Sequence, residues 1–185
     1  MSADQAWRFS LVPDFPLTDR AVQLEVIVTP QPQCCLQVDY ILSDPDSQVL
    51  WPATMTLPRR LDFLWEHTCL ELFIKTDEQP DYVEINASPC GAWQAYRFDD
   101  YRSPKHLPPN PDFRIRLQRL SVYHHHLRMQ LDLSRLVKAG QMLQIGTCAV
   151  LEHNFGSNSY WALRHSALPA DFHRQQDWMF QLAVN

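Results

Sequence analysis

The feature that most constrains this chain is a two-residue hydrophobic period that returns along nearly its whole length. In FRIRLQRL (113–120), Phe113, Ile115 and Leu117 alternate with Arg114, Arg116 and Gln118. In LRMQLDL (127–133), Leu127, Met129, Leu131 and Leu133 alternate with Arg128, Gln130 and Asp132. Successive strand residues point to opposite faces, so this pattern suits strands with one face in a core, and it spoils a helix. The same reading holds for AVQLEVIV (21–28), CCLQVDYIL (34–42), TCLELFIK (68–75), YVEINAS (82–88) and WQAYRF (93–98). It extends to MLQIGTCAVL (142–151), SYWALRH (159–165) and WMFQLAV (178–184).

Helical signals are few. PRRLDFLWEH (58–67) can hold a turn or two with Pro58 at its start, and SRLVKAG (134–140) another closed by Gly140. The fourteen prolines gather at the joints between strand segments, where a missing backbone donor does no harm. The expected fold is therefore all-β: a single-domain antiparallel β-sandwich, jelly-roll or immunoglobulin-like, over residues 1–185. It should have about ten strands and one or two short helical turns.

Composition narrows the function. The 185 residues suffice for one sizeable core. Net charge is −5 with Lys and Arg scattered, which gives no footprint for nucleic acid or an anionic membrane surface. No apolar run has the length of a membrane span. MSADQAWRFSLVPDF lacks a basic stretch followed by an apolar one, and the five cysteines form an odd set without C-x-x-C spacing. Both point to a cytoplasmic protein with reduced, structural thiols. His124, His125 and His126 read as a solvated turn rather than a metal site.

The chemistry concentrates in two stretches. If TCLELFIK and YVEINAS pair as a hairpin across DEQP (77–80), the aliphatics share the core face. Glu71 and Glu84 then share the opposite face with Phe73 and Asn86. A solvated face would carry Lys and Thr, whereas here Trp93, Tyr96 and Arg97 follow on the next strand. Arg97 is a candidate partner for the paired carboxylates. Carboxylates and an amide beside aromatic rings suit a sugar, whose hydroxyls hydrogen-bond while its apolar ring face stacks. The second stretch, SYWALRHSALPADFH (159–173), adds Tyr160, Trp161, His165 and His173.

Three segments carry a resemblance: RLDFLWEHTCLELFI (60–74), YVEINASPCGAWQAYRFDDYR (82–102) and NSYWALRHSALPADFH (158–173). On these the chain resembles the bacterial DOMON-like proteins with a type 9 carbohydrate-binding-module fold. PADFH is one residue longer than the PDFH of that family pattern. The resemblance implies a β-sandwich with a sugar or a haem in a cleft. By motif position it implies Trp65, Glu71, Glu84, Asn86, Trp93, Tyr96, Trp161 and His165 in or around the site.

The leading expectation is a non-catalytic module binding a carbohydrate or other polyhydroxylated small molecule, with no cofactor. A haem electron-transfer domain is the alternative. It would need two axial ligands from residues such as Met129, Met142, His153, His165 and His173, bound non-covalently because no C-x-x-C-H is present. Lesser alternatives are a glycosidase using Glu71 and Glu84, and a protein-interaction module using the aromatic face.

Overall fold

The computed structural model describes residues 6–15, 22–53, 57–106, 114–120, 125–178 and 180–184. Among these residues twelve strands follow one another: β1 (Trp7–Pro13), β2 (Gln23–Gln31), β3 (Cys35–Ser43), β4 (Cys69–Thr76), β5 (Tyr82–Ala87) and β6 (Trp93–Phe98), then β7 (Pro104–His106), β8 (Arg114–Arg119), β9 (His125–Asp132), β10 (Met142–Glu152), β11 (Asn158–Ala162) and β12 (Phe180–Ala183). Two 3-10 turns, Leu64–Glu66 and Gln175–Asp177, are the helical content among the described residues. The pairings between these strands are antiparallel, in the order β7-β6-β5-β4-β10-β11-β1-β2-β3-β9-β8, with β12 also on β10.

The array folds into two layers at β1. Residues Trp7–Leu11 of β1 pair with β2, and Val12–Pro13 pair with β11. One layer is therefore β1-β2-β3-β9-β8, and the other is β7-β6-β5-β4-β10-β11 with β12. The alternating aliphatics of both layers meet in one apolar cluster that holds Val26, Val38 and Leu131 with Leu70, Leu72, Ile85 and Ile145. The Tyr40 hydroxyl of β3 crosses the interlayer space and donates to the Glu71 carbonyl of β4 at 2.6 Å. This is the all-β sandwich that the two-residue period requires.

The register confirms the expected hairpin of β4 and β5. Leu70, Leu72 and Ile74 face Ala87, Ile85 and Val83 on the core side, and Glu71 lies opposite Asn86 with Phe73 opposite Glu84. β8 and β9 pair across Leu117 and Met129. Two strands, β1 and β7, go beyond the sequence reading. Trp7, Phe9 and Leu11 do alternate, but inside a segment read only for targeting signals. The histidine run differs from its expectation: His125 and His126 open β9, where His125 stacks on Trp51 at 4.8 Å and His126 Nε2 meets Asp39 at 2.8 Å. A strand paired to β3 holds them in place of a turn, and His124 lies outside the described residues.

The outer face of the second layer is covered: all six residues of β5 are buried. A second apolar cluster, with Phe73, Tyr82, Phe98, Cys148 and Trp178, builds on that face, and a third surrounds Leu64, Cys69 and Val150. The cover is the segment 163–178. Trp178 anchors it, lying so close to Gly146 that a Cβ there would sit 2.4 Å from the ring. Only glycine admits that approach. The Trp178 indole N–H then donates to the Phe172 carbonyl at 2.8 Å and sets the height of the cover above the sheet.

Candidate functional site

Between that cover, the 61–66 loop and the outer face of β4-β5-β6 lies a cavity of about 560 Å³. Its floor is Glu71 and Glu84, its walls are Trp65, Tyr96, Tyr160 and Phe172, and Arg102 and His173 close one side. The volume and the mix of aromatic and polar walls are those of a small-molecule site. Alternation explains the floor: Glu71 on β4 and Glu84 on β5 both oppose the aliphatic parity, and Tyr96 on β6 sits directly across from Glu84.

Both floor carboxyls are nearly shut off from solvent, at 4% and 6% exposure. Asn86 Nδ2 donates to Glu84 Oε1 at 2.7 Å. No described residue donates to the Glu71 carboxyl, and Asn86 Oδ1 is buried without a partner among the described residues. Burial destabilises the charged form of both acids. Glu84 is pushed up to about 7 by burial, against the pull of the Asn86 bond and of Arg102. Glu71 is held well above the usual carboxylate range by burial and then by the neighbouring Glu84 charge. Two like charges in one dry floor do not ionise together readily, so the pair retains a proton near neutrality.

The flanking groups are committed elsewhere. Arg102 donates to Asp171 at 2.7 Å, and Asp171 also receives the Tyr101 hydroxyl. His173 is driven down to about 4 by burial and by the Arg102 charge, so it is a neutral imidazole at physiological pH. The Tyr82 hydroxyl accepts the Arg102 backbone N–H at 3.2 Å and meets His173 Nδ1 at 2.7 Å. With Tyr82 donating, the ring keeps its proton on Nε2, which lies 3.6 Å from Glu84 Oε2. That distance exceeds a hydrogen bond, and the neutral ring makes no ion pair. Asp62 Oδ1 receives both the Tyr96 hydroxyl at 2.8 Å and Gln94 Nε2 at 3.0 Å. Phe63 and Arg102 line the cavity in left-handed backbone conformation, with φ of 62° and 51°, which non-glycine residues rarely adopt.

Of the ten residues singled out in the sequence, Trp65, Glu71, Glu84, Tyr96 and Tyr160 line the cavity, and Asn86 holds Glu84 from beside it. The other four lie elsewhere. Trp93 shares the parity of Ala95, packs against the main core, and carries Arg60 over its ring at 4.3 Å. Arg97 has that same parity but lies exposed near the end of β6, where it pairs with Asp81 and not with the glutamates. Trp161 is buried in the core with its indole N–H on Ser159 Oγ at 2.8 Å. His165 Nε2 contacts the Val12 carbonyl at 3.0 Å, outside the lining.

Asp62, Phe63, Phe98, Arg102, Val150, Ala170, Phe172 and His173 complete the cavity and were not singled out as its lining. All of them but Val150 fall inside the three segments that carry the resemblance, and Phe98 has the parity of Tyr96. Haem does not fit the lining that the described residues form: among their Met, His and Lys it offers His173 alone, its Nδ1 engaged by Tyr82, above a floor of two carboxyls. Met129 is buried in the main core and His153 is bonded to Ser159. No group of three potential metal ligands forms among the described residues.

No family model matches the chain, and no curated protein sequence matches it. Among solved structures it is similar to a proposed carbohydrate-binding protein from Bacteroides uniformis, with a TM-score of 0.61 and 9% identity over 97% of this chain and 86% of that one. At that identity the likeness shows a shared fold.

Proposed function

We propose that the protein is a non-catalytic module that binds a carbohydrate or other polyhydroxylated small molecule in the cavity floored by Glu71 and Glu84. The observation that carries the reading is the Glu71 carboxyl: buried, opening into an aromatic-walled cavity, and without a donor from any described residue. A carboxyl group left in that state costs free energy unless a ligand or water completes its hydrogen bonds. Sugar hydroxyls supply donors, and Trp65, Tyr96, Tyr160 and Phe172 offer rings to the apolar face of a pyranose. The likeness to the Bacteroides uniformis fold adds support. The five free cysteines suit a reducing cytoplasm, where a soluble mono- or oligosaccharide is a more natural ligand than a polysaccharide.

Affinity should be modest, in the range ~10 µM to ~1 mM, because a small polar ligand gains little net free energy on leaving water. The test is a sugar panel read by tryptophan fluorescence, with Trp65 as reporter. In calorimetric titration with the responding sugar, Trp65→Ala should weaken binding at least about tenfold and leave the fold intact. A Trp65→Ala protein that binds normally sinks the assignment of the cavity.

A glycosidase reading draws on the same two carboxyls. A retaining mechanism needs one of them ionised as nucleophile. Here burial pushes both upward, and among the described residues no cation lies within ion-pair distance of either, since His173 is neutral. Release of reducing sugar from an aryl glycoside, lost in Glu84→Gln, would restore that reading.

A further inference from the structure

The floor of the cavity supplies more acceptors than donors. Glu71, Glu84 and Asp62 face it with carboxyl oxygens, and Asn86 Oδ1 is buried beside them without a partner among the described residues. Against these, among the described residues, stand one cation, Arg102, already bound to Asp171, one neutral imidazole, and the Trp65 N–H and Tyr160 hydroxyl in the walls. No lysine among the described residues lines the cavity. A sugar hydroxyl both donates and accepts, so a neutral polyol leaves part of this floor unmatched. A primary ammonium has three donors and no acceptor, and a cation is also attracted to the faces of aromatic rings. The frame of Trp65, Tyr96, Tyr160 and Phe172 provides such rings above the acidic floor.

We propose that the ligand carries a primary ammonium, and that the saccharide class taken by this cavity is an amino sugar whose ammonium sits over Glu71 and Glu84. The assignment rests on the binding function proposed above and sharpens it. In the free protein the proton retained by the carboxyl pair relieves the acceptor excess. The bound ammonium replaces it, and the proton leaves to buffer.

Other titratable groups around the pair do not compete for that role. The Cys69 and Cys148 thiols are pushed up by burial and then by Glu71, and the Tyr82 and Tyr96 phenols are raised first by burial. All four stay neutral at physiological pH. Tyr40, behind Glu71, is likewise raised by burial. Asp62 and Asp171 are held by Tyr96 and Gln94, and by Arg102 and Tyr101.

The experiment is calorimetric titration of the whole chain at about pH 7 with glucosamine, glucose, N-acetylglucosamine and propylammonium, in two buffers of different ionisation enthalpy. Glucosamine should bind at least about tenfold more tightly than the two neutral sugars, with buffer-dependent heat that reports proton release. Glu71→Gln should erase both the preference and the proton release. Glu84→Gln is the second variant should the first fold poorly. Equal or tighter binding of glucose, or a preference that survives in both variants, overturns the ammonium site and leaves the saccharide reading standing. Binding of propylammonium without any sugar supports the ammonium site and removes the saccharide. Binding of none of the four overturns both.

Discussion

Asp39 and the pair Glu71–Glu84 are equally hidden from water, yet the molecule treats them in opposite ways. Asp39, on the outer face of the first layer, is 3% exposed. It receives Arg128 Nε at 2.8 Å and Nη2 at 3.2 Å, His126 Nε2 at 2.8 Å and Gln37 Nε2 at 2.9 Å. Every lone-pair direction of that carboxylate is used by the fold. Glu71 and Glu84 share one amide donor between them, on Glu84. A buried carboxylate that serves the fold is saturated by the fold, since anything less costs stability. An unsaturated pair at the bottom of a cavity is held ready for something from outside.

The contrast gives opposite signs to similar substitutions. Asp39→Asn removes the anion from the Arg128 and His126 donors and should destabilise the protein by about 3 kcal/mol, the lower end for breaking a buried pair because Arg128 keeps some water. Chemical denaturation at neutral pH measures it, and an unchanged midpoint would erase the distinction drawn here.

Glu84→Gln should do the reverse. Glu84 holds its proton up to about 7 when folded, against 4.5 as its ordinary value. Between those values the folded state binds the extra proton. Its contribution is full below about 4.5 and is lost as pH rises through 7. Glutamine mimics the protonated acid at every pH. The variant should therefore be more stable than the parent by roughly 3 kcal/mol at pH 8, with the gap closing by pH 4. Parallel pH profiles for the two proteins would show that Glu84 ionises as freely as a solvated acid.

Trp65→Ala separates function from stability in the other direction. The side chain is 38% exposed at the cavity mouth, edge-on to Tyr96 at 5.7 Å. Ligand affinity should fall at least about tenfold, while stability changes by less than ~1 kcal/mol. The smallest effect belongs to Arg97→Ala. Arg97 lies on the opposite parity with Asp81, half exposed, so neither affinity nor stability should move by more than ~0.5 kcal/mol. A larger loss of binding would return Arg97 to the site.

Much of the fold was legible because period two is a local rule. It needs no partner to state that Leu70, Leu72 and Ile74 face one way and Glu71 and Phe73 the other. The same rule already set Trp93 and Arg97 apart from Tyr96, and Trp161 apart from Tyr160. Grouping all the conspicuous side chains of one stretch into one site gave Trp93, Arg97 and Trp161 more weight than their parity supports. Aromatic chemistry suits a core as well as a binding wall, and only the face tells them apart.

What the sequence by itself determined is the all-β sandwich, the hairpin of β4 and β5, and the placing of both glutamates on the face away from the aliphatic core. Tertiary structure alone decided that this face is not solvent. The segment 163–178 returns over the sheet because Trp178 lodges on the bare backbone of Gly146, a contact between residues on separate elements. That long-range packing buries Glu71 and Glu84, brings Arg102 and His173 to their side, and turns a charged strand face into a cavity. Alternation assigns each residue to a face; what covers a face depends on chain that arrives from elsewhere.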